Sequence, residues 1–281
     1  MRVDATKVRD FNRIRVEPVT GAIGAEISNV DLRDLDDEII AEIRQAWLDH
    51  KVLFFRDQAL SHEQHKAYGA ALGELEIHPF VPGIEGYPEL LVIDSTPDNF
   101  VAAEVWHTDV TFRPCPPLGS ILLGRTIPPY GGDTCFANME LAYDLLDDKT
   151  KAQIEGRFAI HSYVKSFGAD MSPEEQASAL EKHPDQKHPV VRTHPETGKK
   201  SLFVNREFTL TIDGMTAAES RDLRHKLYEM AKIPEVQCRF RWQPNSIAQW
   251  DNRCTQHYAV PDHGGQYRRV ERVTLVGDRP V

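Results

Sequence analysis

From Val190 onward the chain falls mostly into runs too short to be anything but strands. Residues 190–193, 202–205, 247–250 and 269–277 are each closed off by Gly, Pro, Asn or Asp, and Cys238, Phe240 and Trp242 alternate with Arg239 and Arg241. Alternation at period two puts one face of a strand in a core and the other toward water. No such short strand buries its apolar face alone, so the set must close on itself as a barrel or sandwich.

Helical stretches interrupt this pattern. Ile39, Ile43 and Trp47 recur at fourfold spacing, with Ile40 beside them, along residues 36–50, which predicts an amphipathic helix; KVLFFRD after it reads as a buried strand. Ser61 with Gln64, and Thr216 with Glu219, have the spacing of capping boxes, and Pro234 stops the second of these helices. Ser172-Pro173-Glu174-Glu175 combines a cap, a proline at the first helical position and early acidic residues. It opens a polar helix in a surface insertion or lid over about residues 165–187. The expected fold is mainly β with α, helices packed outside the strands, in one domain across residues 1–281; periodicity leaves the topology open.

A chain of 281 residues with 41% hydrophobic content can bury roughly three quarters of its unfolded surface. Its formal net charge of −10, with basic residues scattered except around Arg268–Arg272, lacks the electrostatic footprint of a nucleic-acid binder. The N-terminal stretch is charged and has no apolar signal core, and no window approaches the roughly 18 apolar residues of a membrane span. A cytoplasmic protein with no nucleic-acid or membrane partner is expected. Cys115, Cys135, Cys238 and Cys254 are widely spaced and form no CxxC pair, so they read as small buried hydrophobes.

The stretch WHTDVTF, residues 106–112, carries His107 and Asp109 two positions apart. If this segment is extended, both side chains point to one face and can reach one centre; by itself the pair is equally two polar residues on a solvated strand. Of the twelve histidines, His62 and His65 fall on a predicted helix and read as solvated, and His183, His188 and His194 lie among prolines and turns and read as surface residues. His257, just after a predicted strand, is the best third ligand. Two histidines and a carboxylate make the facial triad of non-heme Fe(II) oxygenases, whereas structural zinc fills four positions and favours cysteine. Arg268 and Arg272, four apart in a strand-like run, share a face at a separation of about 13 Å, given roughly 3.3 Å per residue. Such guanidiniums pair with anions, either ligands or nearby Glu271 and Asp278.

With these residues in view, the chain resembles the family of taurine dioxygenase and 2,4-dichlorophenoxyacetate dioxygenase. The likeness runs in order through VEPVTGAIGAEISNVDL, WHTDVTF, PPYGGDTCFANM, HPVVRTHPETGKKSLFVN, WDNRCTQHYAV and RVTLVGD. It implies a double-stranded β-helix (jelly roll) and a dioxygenase using Fe(II), 2-oxoglutarate and dioxygen (O2). Iron falls to His107, Asp109 and His257. Thr134 and Arg268 match the residues that bind the distal carboxylate of 2-oxoglutarate, and Arg272 matches the arginine for the substrate anion. His78 matches a histidine contacting a sulfonate, and Val110, Ser166, Phe167 and Phe208 line the substrate pocket. Family members are commonly dimers or tetramers, which implies a homo-oligomer.

The implied substrate is a small organic anion hydroxylated beside its heteroatom group. Succinate and CO2 are released, and the product breaks down to a carbonyl compound plus sulfite or sulfate. Ala103 and Val81 stand where taurine enzymes carry an asparagine and a tyrosine near the substrate amine. Neither offers a side-chain hydrogen bond, and an amine left unpaired in a buried site costs about 1–3 kcal/mol, so recognition of an amino group is expected to be weakened or lost. A sulfonate or sulfate substrate is favoured by His78, Arg272 and Lys165-Ser166-Phe167; an aryloxyalkanoate or other carboxylate is favoured by Ala103 and Val81. A metal-binding jelly-roll protein without oxidative chemistry leaves Thr134 and Arg268 unexplained.

Overall fold

Alternating side chains set the layers of this protein, a computed structural model that describes residues 9–78, 81–99 and 103–281. The chain begins with β1 (Arg15–Pro18), β2 (Ala25–Ser28), α1 (Asp37–His50), β3 (Val52–Phe55), α2 (His62–Leu72), β4 (Leu90–Ser95) and β5 (Gly119–Thr126). Next come β6 (Thr134–Asn138), α3 (Met139–Asp144), α4 (Asp148–Ile154), β7 (Phe158–His161), α5 (Tyr163–Phe167), α6 (Pro173–Lys182), β8 (Gln186–Pro189) and β9 (Val191–Thr193). It closes with β10 (Lys200–Leu202), β11 (Thr209–Ile212), α7 (Ala217–Glu229), β12 (Gln237–Phe240), β13 (Ile247–Asp251), β14 (Thr255–Ala259) and β15 (Arg268–Leu275).

Seven strands form one sheet in the order β1-β2-β3-β13-β5-β15-β4, antiparallel except where β2 meets β3. A three-stranded antiparallel sheet runs β12-β6-β14, and smaller ones run β11-β7-β8 and β10-β9. On the outer face of the large sheet, Leu53, Phe55, Ile121, Leu123 and Ile247 pack against Ile43, Trp47, Tyr68 and Leu72 of α1 and α2. Their neighbours Val52, Phe54, Leu122, Ala248, Trp250 and Val270 point inward and meet Phe136, Cys238 and Phe240 of the small sheet. Phe54 stacks on Phe240 with ring centroids 4.2 Å apart. Each such side chain contributes about 1.5–3 kcal/mol through burial. The mainly-β fold with outer helices is as expected.

The helix starts follow their caps. Asp36 accepts from the Ile39 amide, and Ser61–Gln64, Ser172–Glu175 and Thr216–Glu219 all form complete capping boxes. Gly69 lets α2 lie directly on β15, because a β-carbon there would stand 2.7 Å from Cγ1 of Val273. No described helix is long and apolar enough to cross a membrane.

Several expectations from local sequence are overturned by tertiary contacts. His65 is fully buried with Nε2 3.2 Å from the Ile121 carbonyl, because α2 turns that face onto the large sheet. His188 and His194 are also buried, beneath loops whose own composition is polar. The strand expected over 202–205 ends at Leu202, after which Asn205 turns the chain. Cys238 and Cys254 are buried as expected, whereas Cys115 is exposed.

One buried polar lock joins the β13–β14 turn to the loop after β9. Arg253 binds Asp251 through Nε at 2.9 Å and Nη2 at 2.7 Å and reaches Glu196 at 2.6 Å, while His194 Nε2 lies 3.1 Å from Asp251. Removing one partner leaves the others buried and uncompensated. Asp251→Asn is therefore expected to lower unfolding free energy by about 3 kcal/mol in urea titration; a loss below about 1 kcal/mol would show the lock to be dispensable. A pH effect follows from the buried imidazoles. Burial, chiefly, pushes both His65 and His188 down to about 4. Between pH 6.5 and 5 the unfolded chain takes up protons there that the folded chain does not, so stability must fall as pH falls. The urea midpoint should decline across that window, and a flat profile would contradict the burial of these rings.

Candidate active site

His107 and Asp109 converge for a different reason than extended geometry. His107 forms an isolated bridge to His257, the two backbones exchanging hydrogen bonds of 3.1 and 2.8 Å. The chain then turns: Val110 has φ of +39° and its carbonyl accepts from the Arg113 amide at 3.0 Å. This turn, not a strand pleat, brings the Asp109 carboxylate back beside the imidazole. His257 itself lies on β14, paired with Phe136 of β6, and faces the aromatic core, where Trp250 and Phe136 flank its ring at centroid distances of 4.8 and 6.2 Å.

Nε2 of His107 and Nε2 of His257 each lie 3.8 Å from Oδ1 of Asp109. All three residues are buried, and their ligand atoms lie within 4.8 Å of one another. The His107 Nδ1 lies 2.7 Å from the Val105 carbonyl, which can only accept, so Nδ1 carries the proton and Nε2 presents a lone pair. Asp109 divides its oxygens. Oδ2 accepts from the Ser120 hydroxyl at 3.0 Å and the Asn252 amide at 3.2 Å, while Oδ1 faces the imidazoles and Nη1 of Arg272 at 3.4 Å. Burial pushes the Asp109 carboxyl up, but Arg272, His257, His107 and the Ser120 hydroxyl together hold it well below the usual carboxylate range. Burial, and then the neighbouring His107, push His257 down to about 3, so this imidazole is neutral at pH 7. Two neutral-capable nitrogens and one carboxylate oxygen are a donor set that fits Fe(II) and leaves room for further ligands.

Arg268 and Arg272 share the inner face of β15 with Val270, as their spacing predicted. The alternative partners proved to be engaged elsewhere: Glu271 faces outward to Arg125 at 2.7 Å, and Asp278 pairs with Arg192 at 2.6 Å. Arg268 is 7% exposed and has no hydrogen-bonded or ion-paired partner among the described residues, its Nε included. Burial pushes its guanidinium down to about 10, with Asp133 opposing. Its plane lies over Trp242, at 5.6 Å, and the Trp242 indole donates to the Thr134 hydroxyl at 3.0 Å. Gly132, at φ of +70°, borders the same spot, since a β-carbon there would come within 3.2 Å of Cδ of Arg268. A buried cation is costly without a counter-charge, and this one shares Trp242 with the Thr134 hydroxyl, an arrangement that suits a carboxylate ligand.

A cavity of about 360 Å³ is lined by His78, Ala103, Glu104, Val105, His107, Asp109, Val110, Phe167, Glu207, Phe208 and Arg272. Five of the expected pocket residues, His78, Val110, Phe167, Phe208 and Arg272, thus meet there. Ser166 reaches it only through Glu207, to whose carboxylate its hydroxyl donates. His78 Nδ1 accepts from the Val81 amide at 3.0 Å, which leaves the proton on Nε2, and burial followed by Arg272 and Arg113 pushes its pKa down.

Sequence reasoning missed Ser120, Asn252, Trp242 and Glu207. WDNRCTQH had already been singled out for His257, so Asn252 had a local signal; Ser120 and Glu207 had none. A second group of close ligand atoms, His194, Asp251 and Cys254, belongs to the polar lock. Nδ1 of His194 accepts the Glu196 and Thr197 amides, so Nε2 is protonated and donates to Asp251, which Arg253 already holds.

Residues 15–274 match the family described as "Taurine catabolism dioxygenase TauD, TfdA family". An alkylsulfatase of Acinetobacter baylyi is 40% identical over 276 residues, covering 95% of this chain and 86% of its own length. An alpha-ketoglutarate-dependent sulfate ester dioxygenase of Pseudomonas putida is 39% identical over 276 residues, covering 95% of this chain and 90% of its own. Among solved structures, a taurine dioxygenase from Burkholderia xenovorans aligns with a TM-score of 0.84 at 41% identity, over 96% of this chain and 91% of that one. The chain belongs to the TauD/TfdA family of taurine catabolism dioxygenases and is an Fe(II)- and 2-oxoglutarate-dependent dioxygenase.

Proposed function

We propose that this enzyme hydroxylates a small organic sulfate ester or sulfonate on the carbon next to its heteroatom group. The strands are read as a double-stranded β-helix in one domain over residues 1–281, with residues 165–187, the end of α5 and all of α6, as a lid. The observation that carries the reading is the pair of inner-face arginines on β15, of which Arg272 touches Asp109. Arg268 has no hydrogen-bonded or ion-paired partner among the described residues and is linked to Thr134 through Trp242, while Arg272 lines the cavity beside Asp109. Two arginines on one strand face, one at the triad and one without a protein counter-ion, suit two different anions, a prime substrate and a co-substrate.

In this reading His107, Asp109 and His257 hold iron through Nε2, Oδ1 and Nε2. Iron with 2-oxoglutarate and dioxygen supplies oxidative decarboxylation to succinate and CO2 coupled to insertion of one oxygen atom into a C–H bond. The protein's contribution is placement. Ser120 and Asn252 keep Oδ2 of Asp109 occupied, so that Oδ1 is the oxygen turned to the ligand. Arg268 and Thr134 take the distal carboxylate of 2-oxoglutarate and so set its orientation. Arg272, with the Nε2 proton of His78, takes the substrate anion and fixes which carbon faces the centre. Val110, Phe167 and Phe208 wall the cavity against water. A carbon bearing both the new hydroxyl and a sulfate oxygen or sulfonate sulfur breaks down to a carbonyl compound and sulfate or sulfite. The substrates named for the alkylsulfatase and sulfate ester relatives support this choice. A homo-oligomer, dimer or tetramer, in the cytoplasm completes the proposal.

Succinate release over a panel of alkyl sulfates, alkanesulfonates, taurine and phenoxyacetates tests the substrate class; phenoxyacetates as the best substrates would overturn it. Asp109→Ala is expected to leave no succinate release above background, and retained turnover would remove it from the triad. Arg268→Ala should raise KM for 2-oxoglutarate by at least about tenfold, and Arg272→Ala should do the same for the prime substrate, since each removes a charge-assisted pair. Equal effects of both variants on one parameter would refute the division of labour. Asn252→Ala and Ser120→Ala should each weaken Fe(II) binding by about 10- to 100-fold with the ligands intact, measured by anaerobic metal titration; unchanged affinity would show that Asp109 needs no such support.

A further inference from the structure

The reading above, on which this inference rests, leaves one wall of the substrate cavity without a role. Glu207 lies in the loop between β10 and β11 and lines the same cavity as Arg272 and Asp109. Its position is held from both sides. The Asn205 side chain accepts from the Phe208 amide at 2.9 Å and donates to the Thr111 hydroxyl at 3.0 Å, which ties the loop to the segment carrying Asp109. Lys165 donates to the main-chain carbonyls of Arg206 and Glu207, and its charge acts on the Glu207 carboxylate through space without a hydrogen bond to it.

Among the described residues, the Glu207 carboxylate has one hydrogen-bond partner, the Ser166 hydroxyl on Oε1. Arg272 pairs with Asp109 and not with Glu207. The cavity therefore presents a guanidinium for an anion and, apart from it, a half-buried carboxylate whose second oxygen has no protein donor among the described residues. Glu104, exposed at the edge of the same cavity, adds negative charge there. A purely alkyl tail placed against such a carboxylate removes water from it and returns no hydrogen bond. A hydroxyl or ammonium group would satisfy it.

We propose that Glu207 is a specificity-determining residue, and that the prime substrate is a sulfate or sulfonate carrying a second, hydrogen-bond-donating group on its chain. Donor recognition, which Ala103 and Val81 do not supply, is thereby moved to a different wall.

Matched pairs test this. Wild type, Glu207→Gln, Glu207→Leu and Ser166→Ala are assayed by succinate release with butyl, 4-hydroxybutyl and 4-ammoniobutyl sulfates, and with the two-carbon and six-carbon series. Binding is measured in parallel by anaerobic calorimetry on the Fe(II)- and 2-oxoglutarate-loaded enzyme. In wild type, kcat/KM for a donor-bearing member should exceed that for its plain alkyl partner by about tenfold or more, with the difference carried by KM. That ratio should collapse in Glu207→Leu and persist in Ser166→Ala. Glu207→Gln, nearly isosteric, should keep a hydroxyl preference and lose an ammonium one. Plain alkyl members preferred at every chain length, or a ratio unchanged in Glu207→Leu, overturns the proposal. So does an equal loss on all substrates in Glu207→Gln and Ser166→Ala, which would make Glu207 only a tie to α5. Turnover of none of these sulfates, nor of the matching sulfonates assayed alongside them, by wild type or any variant overturns the underlying substrate class, and the donor-bearing substrate with it.

Discussion

The site is organised around a carboxylate that has been taken out of water. Burial alone would push the Asp109 proton on, and the enclosing groups reverse that: Arg272 and the two imidazoles on Oδ1, Ser120 and Asn252 on Oδ2. Each of these groups comes from a different part of the fold. Ser120 is on β5, Arg272 on β15, His257 on β14 and Asn252 on the turn after β13. Keeping Asp109 ionised therefore requires both sheets to be in register with one another. The His107–His257 bridge provides that link, because it ties the turn carrying Asp109 to the small sheet by two backbone hydrogen bonds.

β15 shows how the same short strand serves two environments. Its inward residues Arg268, Val270 and Arg272 face the site, while Arg269 and Glu271 face outward under α2, where Glu271 gathers Arg125, Arg269 and His62. Arg125 is the extra residue where β5 slips register against β15, and that slip delivers its guanidinium to Glu271. Satisfying Glu271 on the outer face matters for the inner one. An acidic residue reaching Arg268 would occupy the charge that its anionic ligand needs.

Much of the architecture could be read from local pattern. The helix starts at Ser61, Ser172 and Thr216 sit where cap spacing predicts, because a cap is a contact within three residues and needs no tertiary partner, and the helix read from apolar period over 36–50 starts at an Asp36 cap. Buried histidines were the least readable. His65 and His194 stand among polar neighbours in sequence and are buried by elements more than fifty residues away, Ile121 in one case and Asp251 in the other. Ser120 and Glu207 were invisible for the same reason, since a lone serine in an apolar strand and a glutamate in a polar loop have no local signature.

The sequence by itself determined which residues could be ligands, and that Arg268 and Arg272 point the same way, since these follow from residue chemistry and a period of two. Only the tertiary structure decided how His107 and Asp109 meet, because Val110 leaves the strand for a turn. It also decided which of the two arginines lacks a partner among the described residues, and that a carboxylate, Glu207, shares the cavity with the anion site. Those outcomes depend on side chains far apart in the chain competing for the same partners, and that competition is settled only when the sheets close.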